Sequence, residues 1–147
     1  MTTIKTARIV SLQLCVGHEQ PMKTVDSANV ITGFGIEGDN HATSETPRRF
    51  RQILLMDEET LEGFGLAHGQ IRENVTISGF DLSTLERGQK VSLGGEVVLE
   101  ITGGCDPCQF IDDIRDGMRA EMEGKRGMLA YVTEGGTIKK GDPISLA

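Results

Sequence analysis

Two cysteines, Cys105 and Cys108, flank Asp106-Pro107 at a point where a strand-like sequence passes into a helix-like one. A cysteine at the start of a helix lies near unpaired backbone N–H groups and the positive end of the helix dipole, and both favour a thiolate. The thiolate is the form of cysteine that attacks electrophiles and binds metals. We therefore expect Cys108, at the predicted helix start, to be the reactive residue.

The C-x-x-C spacing also allows other interpretations. A dithiol redox motif of the thioredoxin kind is expected within alternating strands and helices, a pattern that this sequence lacks. The two cysteines could instead be small buried residues. A third alternative is a structural zinc site, because Cys15 precedes His18 by three residues and a Cys₃His set is a known zinc composition. That set would be Cys15, His18, Cys105 and Cys108.

Short β-like segments separated by glycine-containing turns dominate the chain and predict a barrel or a sandwich. The predicted strands are Ala7 to Leu14, Ser27 to Thr32, Gln52 to Met56, Asn74 to Ile77, Gln89 to Leu93, Val97 to Thr102, Leu129 to Thr133 and Ile144 to Leu146.

Two helices are predicted between these strands. The first follows Met56, with Asp57 as its N-cap and Gly63 at its end. The second follows Cys108 and continues to Gly124, because apolar residues recur at helical spacing. Those residues are Phe110, Ile111, Ile114, Met118 and Met122.

The bulk properties limit the possible partners. A chain of 147 residues suits one domain, which we assign to residues 1–147. The formal charge of −7 argues against a nucleic-acid partner, since binding to phosphates needs a basic face. The N-terminal residues lack the apolar core of a signal peptide, no stretch approaches membrane-spanning length, and three cysteines suit a reducing compartment. We expect a cytoplasmic protein without a membrane partner.

Positive charge is nevertheless concentrated in one region, which makes a small anionic ligand plausible. Its members are Lys23, His41, Arg48, Arg49, Arg51 and Arg72. Each of these residues also has a plain alternative as part of a solvated surface.

Four blocks of sequence together resemble the MOSC family, which comprises the C-terminal domain of molybdenum cofactor sulfurases and its free-standing relatives. The blocks are Gly33–His41, Arg51–Leu55, Ile71–Thr76 and Pro107-Cys108, in that order. The similarity extends from about Arg8 to Ile144. Cys105 is an extra cysteine relative to the usual family pattern, and it could resolve a persulfide on Cys108 as a disulfide or have no role.

The resemblance implies a closed or partly closed mixed β-barrel with a few short peripheral helices. It also implies that Cys108 carries sulfur as a persulfide or binds the molybdenum of a pterin cofactor. The partners implied are that anionic cofactor and a cysteine desulfurase or a molybdoenzyme. Pyridoxal phosphate is associated only with the desulfurase domain of larger relatives, and some relatives reduce N-hydroxylated bases. A non-enzymatic module that delivers the cofactor is the alternative.

The resemblance further suggests which residues bind the cofactor. Lys23, Arg51 and Arg72 would supply cations to its phosphate. Polar residues of the two central blocks would orient the ligand or read the pterin, although Asp39 is also a typical turn residue and Asn74 could simply hold a loop. These polar candidates are Asp39, His41, Glu73 and Asn74.

Overall fold

The computed structural model describes residues 6–147 and is mainly β, with a few short helices. The strands are β1 (Arg8–Leu14), β2 (Lys23–Val25), β3 (Ser27–Ile31), β4 (Gly35–Ile36), β5 (Ile53–Asp57), β6 (Val75–Ser78), β7 (Lys90–Leu93), β8 (Val97–Gly104), β9 (Met128–Glu134), β10 (Gly136–Lys139) and β11 (Ile144–Leu146). The α-helices are α1 (Glu58–Gly63), α2 (Gln109–Ile114) and α3 (Met118–Glu121). Two 3₁₀ turns cover Arg48–Arg51 and Leu82–Thr84.

Eight strands form one sheet in the order β11-β7-β8-β9-β5-β6-β1-β2, and β10-β3-β4 form a second sheet of three strands. The pair β5 and β6 is parallel, and the other strand pairs of residues 6–147 are antiparallel. Backbone hydrogen bonds between Ile9 and the turn at Gly141-Asp142 bring the β11 side of the large sheet close to β1. No strand ladder of the described residues closes this sheet, so the expected closed or partly closed barrel is not confirmed.

The main hydrophobic core lies among the strands, and β8 shows how one strand contributes to it. In β8, Val97, Leu99 and Ile101 are fully buried while the residues between them are partly exposed. This period of two places one apolar face of the strand against the core. The sequence pattern alone thus accounts for the orientation of the strand that ends beside Cys105.

The eight strands predicted from sequence are all present, with boundaries shifted by at most two residues. Three strands were missed, namely β2, β4 and β10. They have two to four residues, and β2 and β10 contain a single buried residue between them, so no apolar pattern marks them.

Helix α1 begins and ends as predicted, and the Asp57 carboxylate accepts the Thr60 backbone N–H at 2.9 Å as its N-cap. The single helix predicted after Cys108 is wrong, because the chain forms two short helices instead. Arg115 is extended and Gly117 has a φ of 87°, which interrupts the helix between them. Ile111, Met118 and Met122 are still buried together in a second core cluster, which explains why the apolar spacing looked continuous.

Among the described residues, no helix is long and apolar enough to span a membrane.

Candidate functional site

A cavity of about 890 Å³ lies beside the loop between β1 and β2, a size typical of small-molecule sites. Residues of that loop form one wall, and the segments around Gly69 and Cys105 contribute to the others. The three histidines of the chain, His18, His41 and His68, all line it. The cavity also brings together residues from most of the sequence blocks singled out above.

Cys108 lines this cavity and is exposed. It is the N-cap residue of α2, as the sequence predicted, and its side chain makes no capping hydrogen bond. Cys105 lines the same cavity but is buried, just beyond the end of β8. Its backbone N–H donates to the carbonyl of Gly127 at 3.0 Å, which ties the cysteine segment to the start of β9. The two cysteines of the C-x-x-C motif therefore border the same cavity, but Cys108 is exposed and Cys105 is buried.

Arg126 is a cavity residue that the sequence reasoning missed. It is only 8% exposed, and its Nη1 donates to the Cys105 sulfur at 2.7 Å while its Nη2 donates to the Ile71 carbonyl at 3.2 Å. Its Nε has no hydrogen-bond partner within the described part of the chain. Nothing local in the sequence indicates this role, because the pairing of β8 with β9 brings Arg126 to Cys105.

The three predicted cations have different positions. Arg51 is exposed and lines the cavity. Arg72 also lines it, but Nη1 donates to the Gln20 carbonyl at 3.0 Å and Nη2 donates to the Gly17 carbonyl at 2.8 Å and to the Cys15 sulfur at 3.0 Å. Arg72 thus holds the cavity loop in place. Lys23 is exposed in β2 and is not a lining residue.

The backbone of Arg72 has a φ of 68°, which is uncommon for a residue with a side chain. This conformation lies in a turn in which the Arg72 N–H donates to the Gly69 carbonyl at 3.0 Å. The turn precedes β6 and places the side chain of Arg72 towards the β1–β2 loop. The backbone turn at Arg72 and the hydrogen bonds of its side chain therefore both stabilise the packing of this turn against the β1–β2 loop.

Asp39 and Asn74 form a buried polar centre behind the cavity. The Asp39 Oδ1 accepts the Cys15 backbone N–H at 2.7 Å and the Asn74 Nδ2 at 3.0 Å. The Asn74 Oδ1 in turn accepts the Leu54 backbone N–H at 3.0 Å. Asn74 borders the cavity, whereas Asp39 is not a lining residue. These contacts join β1, β5 and the loop after β4, which is a structural role.

His41 is exposed and lines the cavity. Its backbone N–H donates to the Asp39 Oδ2 at 3.0 Å, and its ring Nδ1 lies 3.6 Å from the same oxygen. Asp39 therefore orients His41, which is the predicted polar residue with the greatest access to a ligand.

Glu73 is completely buried and is not a lining residue. Its Oε2 accepts the Gly69 backbone N–H at 2.9 Å and the Thr76 hydroxyl at 3.0 Å, whereas its Oε1 has no partner among the described residues. Burial raises the pKa of the Glu73 carboxyl, and the two hydrogen bonds offset only part of that effect. Glu73 therefore supports the Gly69 turn and has no direct access to a ligand in the cavity.

The alternative of a Cys₃His zinc site is wrong for this arrangement. The Cys15 and Cys105 sulfurs each face a guanidinium group, those of Arg72 and Arg126 respectively. Within residues 6–147, no group of three or more His, Cys, Asp and Glu side chains is placed to hold a metal ion. The spacing of the two sequence pairs did not reveal that Cys15 lies outside the cavity lining, to which Cys105 and Cys108 contribute.

A family model described as the MOSC domain matches residues 47–145 of the chain. Among solved structures, the chain is similar to the YuaD protein from Bacillus subtilis, with 22% identity, a TM-score of 0.78 and coverage of 95% of this chain and 94% of that one. It is also similar to YiiM from Escherichia coli, with 19% identity, a TM-score of 0.69 and coverage of 95% of this chain and 69% of that one.

A third similar structure is YiiM from Geobacillus stearothermophilus, with 18% identity, a TM-score of 0.72 and coverage of 96% of this chain and 75% of that one. At these identities the likeness concerns the fold alone, and it agrees with the mainly β architecture. No curated protein sequence matches the chain.

Proposed function

Because this chain belongs to the MOSC domain family, we propose that its cavity binds a molybdenum-pterin cofactor or receives sulfur destined for it, with Cys108 as the functional thiol. The observation that carries the proposal is the position of Cys108, an exposed thiol that opens onto a cavity bordered by Arg51 and Arg126. An anionic cofactor needs such positive groups, and a reactive sulfur needs such exposure.

The residues present fit the chemistry of that cofactor. The buried Nε of Arg126 lacks a hydrogen-bond acceptor among residues 6–147, so the cavity wall retains a donor for an anionic ligand. Arg51 offers a second guanidinium group at the exposed side of the cavity. Fork-shaped guanidinium groups are well suited to phosphate oxygens. Both arginines would bind the anionic part of the cofactor.

In this proposal Cys108 would act in one of two ways. As a thiolate it would ligate the metal, and as a persulfide it would hold a sulfur atom for transfer. When bound, the molybdenum centre would supply redox chemistry or act as the sulfur acceptor. The protein contributes the position of the sulfur at the start of α2 and the polar groups around it.

Among the other predicted residues, Arg72 and Asp39 would maintain the geometry of the site. Arg72 holds the loop that forms one cavity wall, and Asp39 orients His41. Such supporting contacts keep a binding site in its productive geometry. We therefore assign ligand contact to Arg51, Arg126 and His41, and positioning to the buried polar groups.

The proposal extends to partners and location. A persulfide on Cys108 would be generated by a cysteine desulfurase, and its sulfur or the bound cofactor would pass to a molybdoenzyme. The cysteines are free, and a thiol-dependent site needs a reducing compartment, so the cytoplasm is the location that we propose.

The test is replacement of Cys108 by serine, with Cys15→Ser as the matched control, because Cys15 is a buried free cysteine that does not line the cavity. Each protein is produced in cells that make the cofactor, then analysed for molybdenum and by intact mass for an added sulfur. We expect loading of the wild-type protein and of Cys15→Ser, and none in Cys108→Ser. Equal loading of a folded Cys108→Ser variant would disprove the role of this thiol.

A further inference from the structure

The charge of Arg126 is poorly balanced by its surroundings. A guanidinium group remains protonated in proteins, and a buried charge without a partner is costly. No carboxylate within the described residues forms an ion pair with Arg126. Its hydrogen-bond acceptors are the Ile71 carbonyl and the Cys105 sulfur. The sulfur is the one of these two acceptors that can become an anion.

Cys105 and Cys108 share one cavity. Both residues line the same cavity, and they have the C-x-x-C spacing of dithiol motifs. Cys105 is held at the end of β8 by the hydrogen bond to Gly127, whereas Cys108 is exposed at the start of α2. A reagent from solution would thus meet Cys108 first, and Cys105 would meet whatever Cys108 carries.

We propose that Cys105 is a second functional thiol, which attacks the Cys108 sulfur when that sulfur carries a leaving group and forms a Cys105–Cys108 disulfide. Arg126 stabilises the anionic form of Cys105 that makes this attack. When the group on Cys108 is a persulfide sulfur, this inference rests on the proposed function. It then adds a means of releasing that sulfur.

The release step balances without an external oxidant. The Cys105 thiolate forms a bond to Sγ of Cys108, the bond between that Sγ and the outer sulfur breaks, and the outer sulfur leaves with its proton as hydrosulfide. The outer sulfur is reduced while the two cysteine sulfurs become the disulfide. A dithiol reductant then supplies two electrons and two protons to restore the two thiols.

A coloured aromatic disulfide, 5,5′-dithiobis(2-nitrobenzoate), tests the attack without any sulfur loading. It should react with exposed Cys108 and release one thionitrobenzoate, after which Cys105 should displace a second one from the mixed disulfide. We expect two equivalents from the native wild-type protein, one from Cys105→Ser and none from Cys108→Ser. Cys15→Ser is the matched control and should behave as the wild type, because Cys15 also faces an arginine but does not line the cavity.

The rate at which the second equivalent is released tests the role of Arg126. Replacing Arg126 by glutamine should slow release of the second equivalent by about tenfold or more, since hydrogen bonds to charged groups are the strong ones. Release of the first equivalent should keep its rate, because Cys108 is exposed. Thermal unfolding checks that the variant is folded. One equivalent from the wild type, with Cys105 still free by peptide mass mapping, would overturn the inference.

A second experiment separates this inference from the proposed function. The wild type and Cys105→Ser are treated with inorganic polysulfide, and persulfide on Cys108 and released hydrosulfide are followed over time. We expect the persulfide to persist in Cys105→Ser and to decay to a disulfide with hydrosulfide release in the wild type. A persulfide that persists equally in both proteins contradicts the inference alone. Failure of Cys108 to accept sulfur contradicts the sulfur-carrying role, whereas the aromatic disulfide experiment still decides the attack by Cys105.

Discussion

The side chain of Asn74 donates to the carboxylate of Asp39 over 3.0 Å, and both residues are buried. Asp39 and Asn74 come from two of the sequence blocks that carry the family resemblance, and here they hold each other and the backbone of neighbouring strands. This hydrogen bond joins two sequence blocks through residues that are 35 positions apart.

Removal of the Asp39 carboxylate should destabilise the whole domain. Asp39→Ala leaves the Cys15 N–H, the His41 N–H and the Asn74 amide without their acceptor. We expect the free energy of unfolding to fall by about 3 kcal/mol, since an unsatisfied buried polar group costs about 1 to 3 kcal/mol. Urea unfolding measures this change. Glu37→Ala is the control, because Glu37 is an exposed acid of the same loop and should change stability little.

The buried Glu73 carboxyl should make stability depend on pH. Because burial raises its pKa above the ordinary value of 4.5, the folded state favours the protonated acid. Its contribution is fully present below pH 4.5 and is lost as the pH rises through the raised pKa. The stability of Glu73→Gln relative to the wild type should therefore increase over that pH range and stay constant at higher pH.

Urea unfolding of Glu73→Gln and the wild type at a series of pH values measures this difference. Glutamine keeps an acceptor for the Gly69 N–H, so the comparison isolates the ionisation. Glu37→Gln, the same exchange at an exposed position, is the control. A difference between wild type and Glu73→Gln that does not change with pH would contradict the assignment.

Gly127 should tolerate no side chain. Its φ is 93°, and a Cβ there would collide with the Leu55 carbonyl oxygen in the neighbouring strand. We expect Gly127→Ala to lose about 3 kcal/mol or more, from strain and from displaced backbone together. Gly124→Ala is the matched control, because Gly124 has a φ of 75° but open space around it. It should lose only about 1 to 2 kcal/mol, measured by urea unfolding.

Arg72 should order the β1–β2 loop. Arg72→Ala removes the donors to the Gly17 and Gln20 carbonyls, so the amides of residues 17–20 should exchange with deuterium faster. Hydrogen–deuterium exchange with mass spectrometry follows this segment. Arg51→Ala should leave that exchange unchanged, because no hydrogen bond between Arg51 and the loop is seen in the described chain. Unchanged exchange in Arg72→Ala would show that the loop is held in another way.

Arg51 and Lys23 should differ in their effect on cofactor binding. Arg51→Ala removes a guanidinium group that lines the cavity, and we expect affinity for the cofactor to fall by about tenfold. Lys23→Ala should leave affinity nearly unchanged because Lys23 is not a lining residue. Titration of both variants with isolated cofactor under exclusion of oxygen provides the comparison. A larger loss in Lys23→Ala would mean that the cavity described here is not the binding site.

Much of the fold was predictable because it follows from local patterns. Short β-like segments between glycine-containing turns marked the longer strands, and the Asp57 cap marked α1. The prediction of one helix after Cys108 failed at Gly117, because buried residues on both sides of a break can keep the spacing of a continuous helix. The missed strands β2, β4 and β10 carry little apolar pattern of their own, so their formation depends on the strands with which they pair.

The sequence by itself determined that the chain is mainly β, that Cys108 starts a helix, and that its motifs are those of the MOSC family. Only the tertiary structure decided that Arg126 meets Cys105, that Arg72 holds a loop, and that Glu73 is buried away from the cavity. The reason is physical. A cap or a strand period arises among neighbours in sequence, whereas burial and the partner of a charged group depend on which distant segments the sheet brings together.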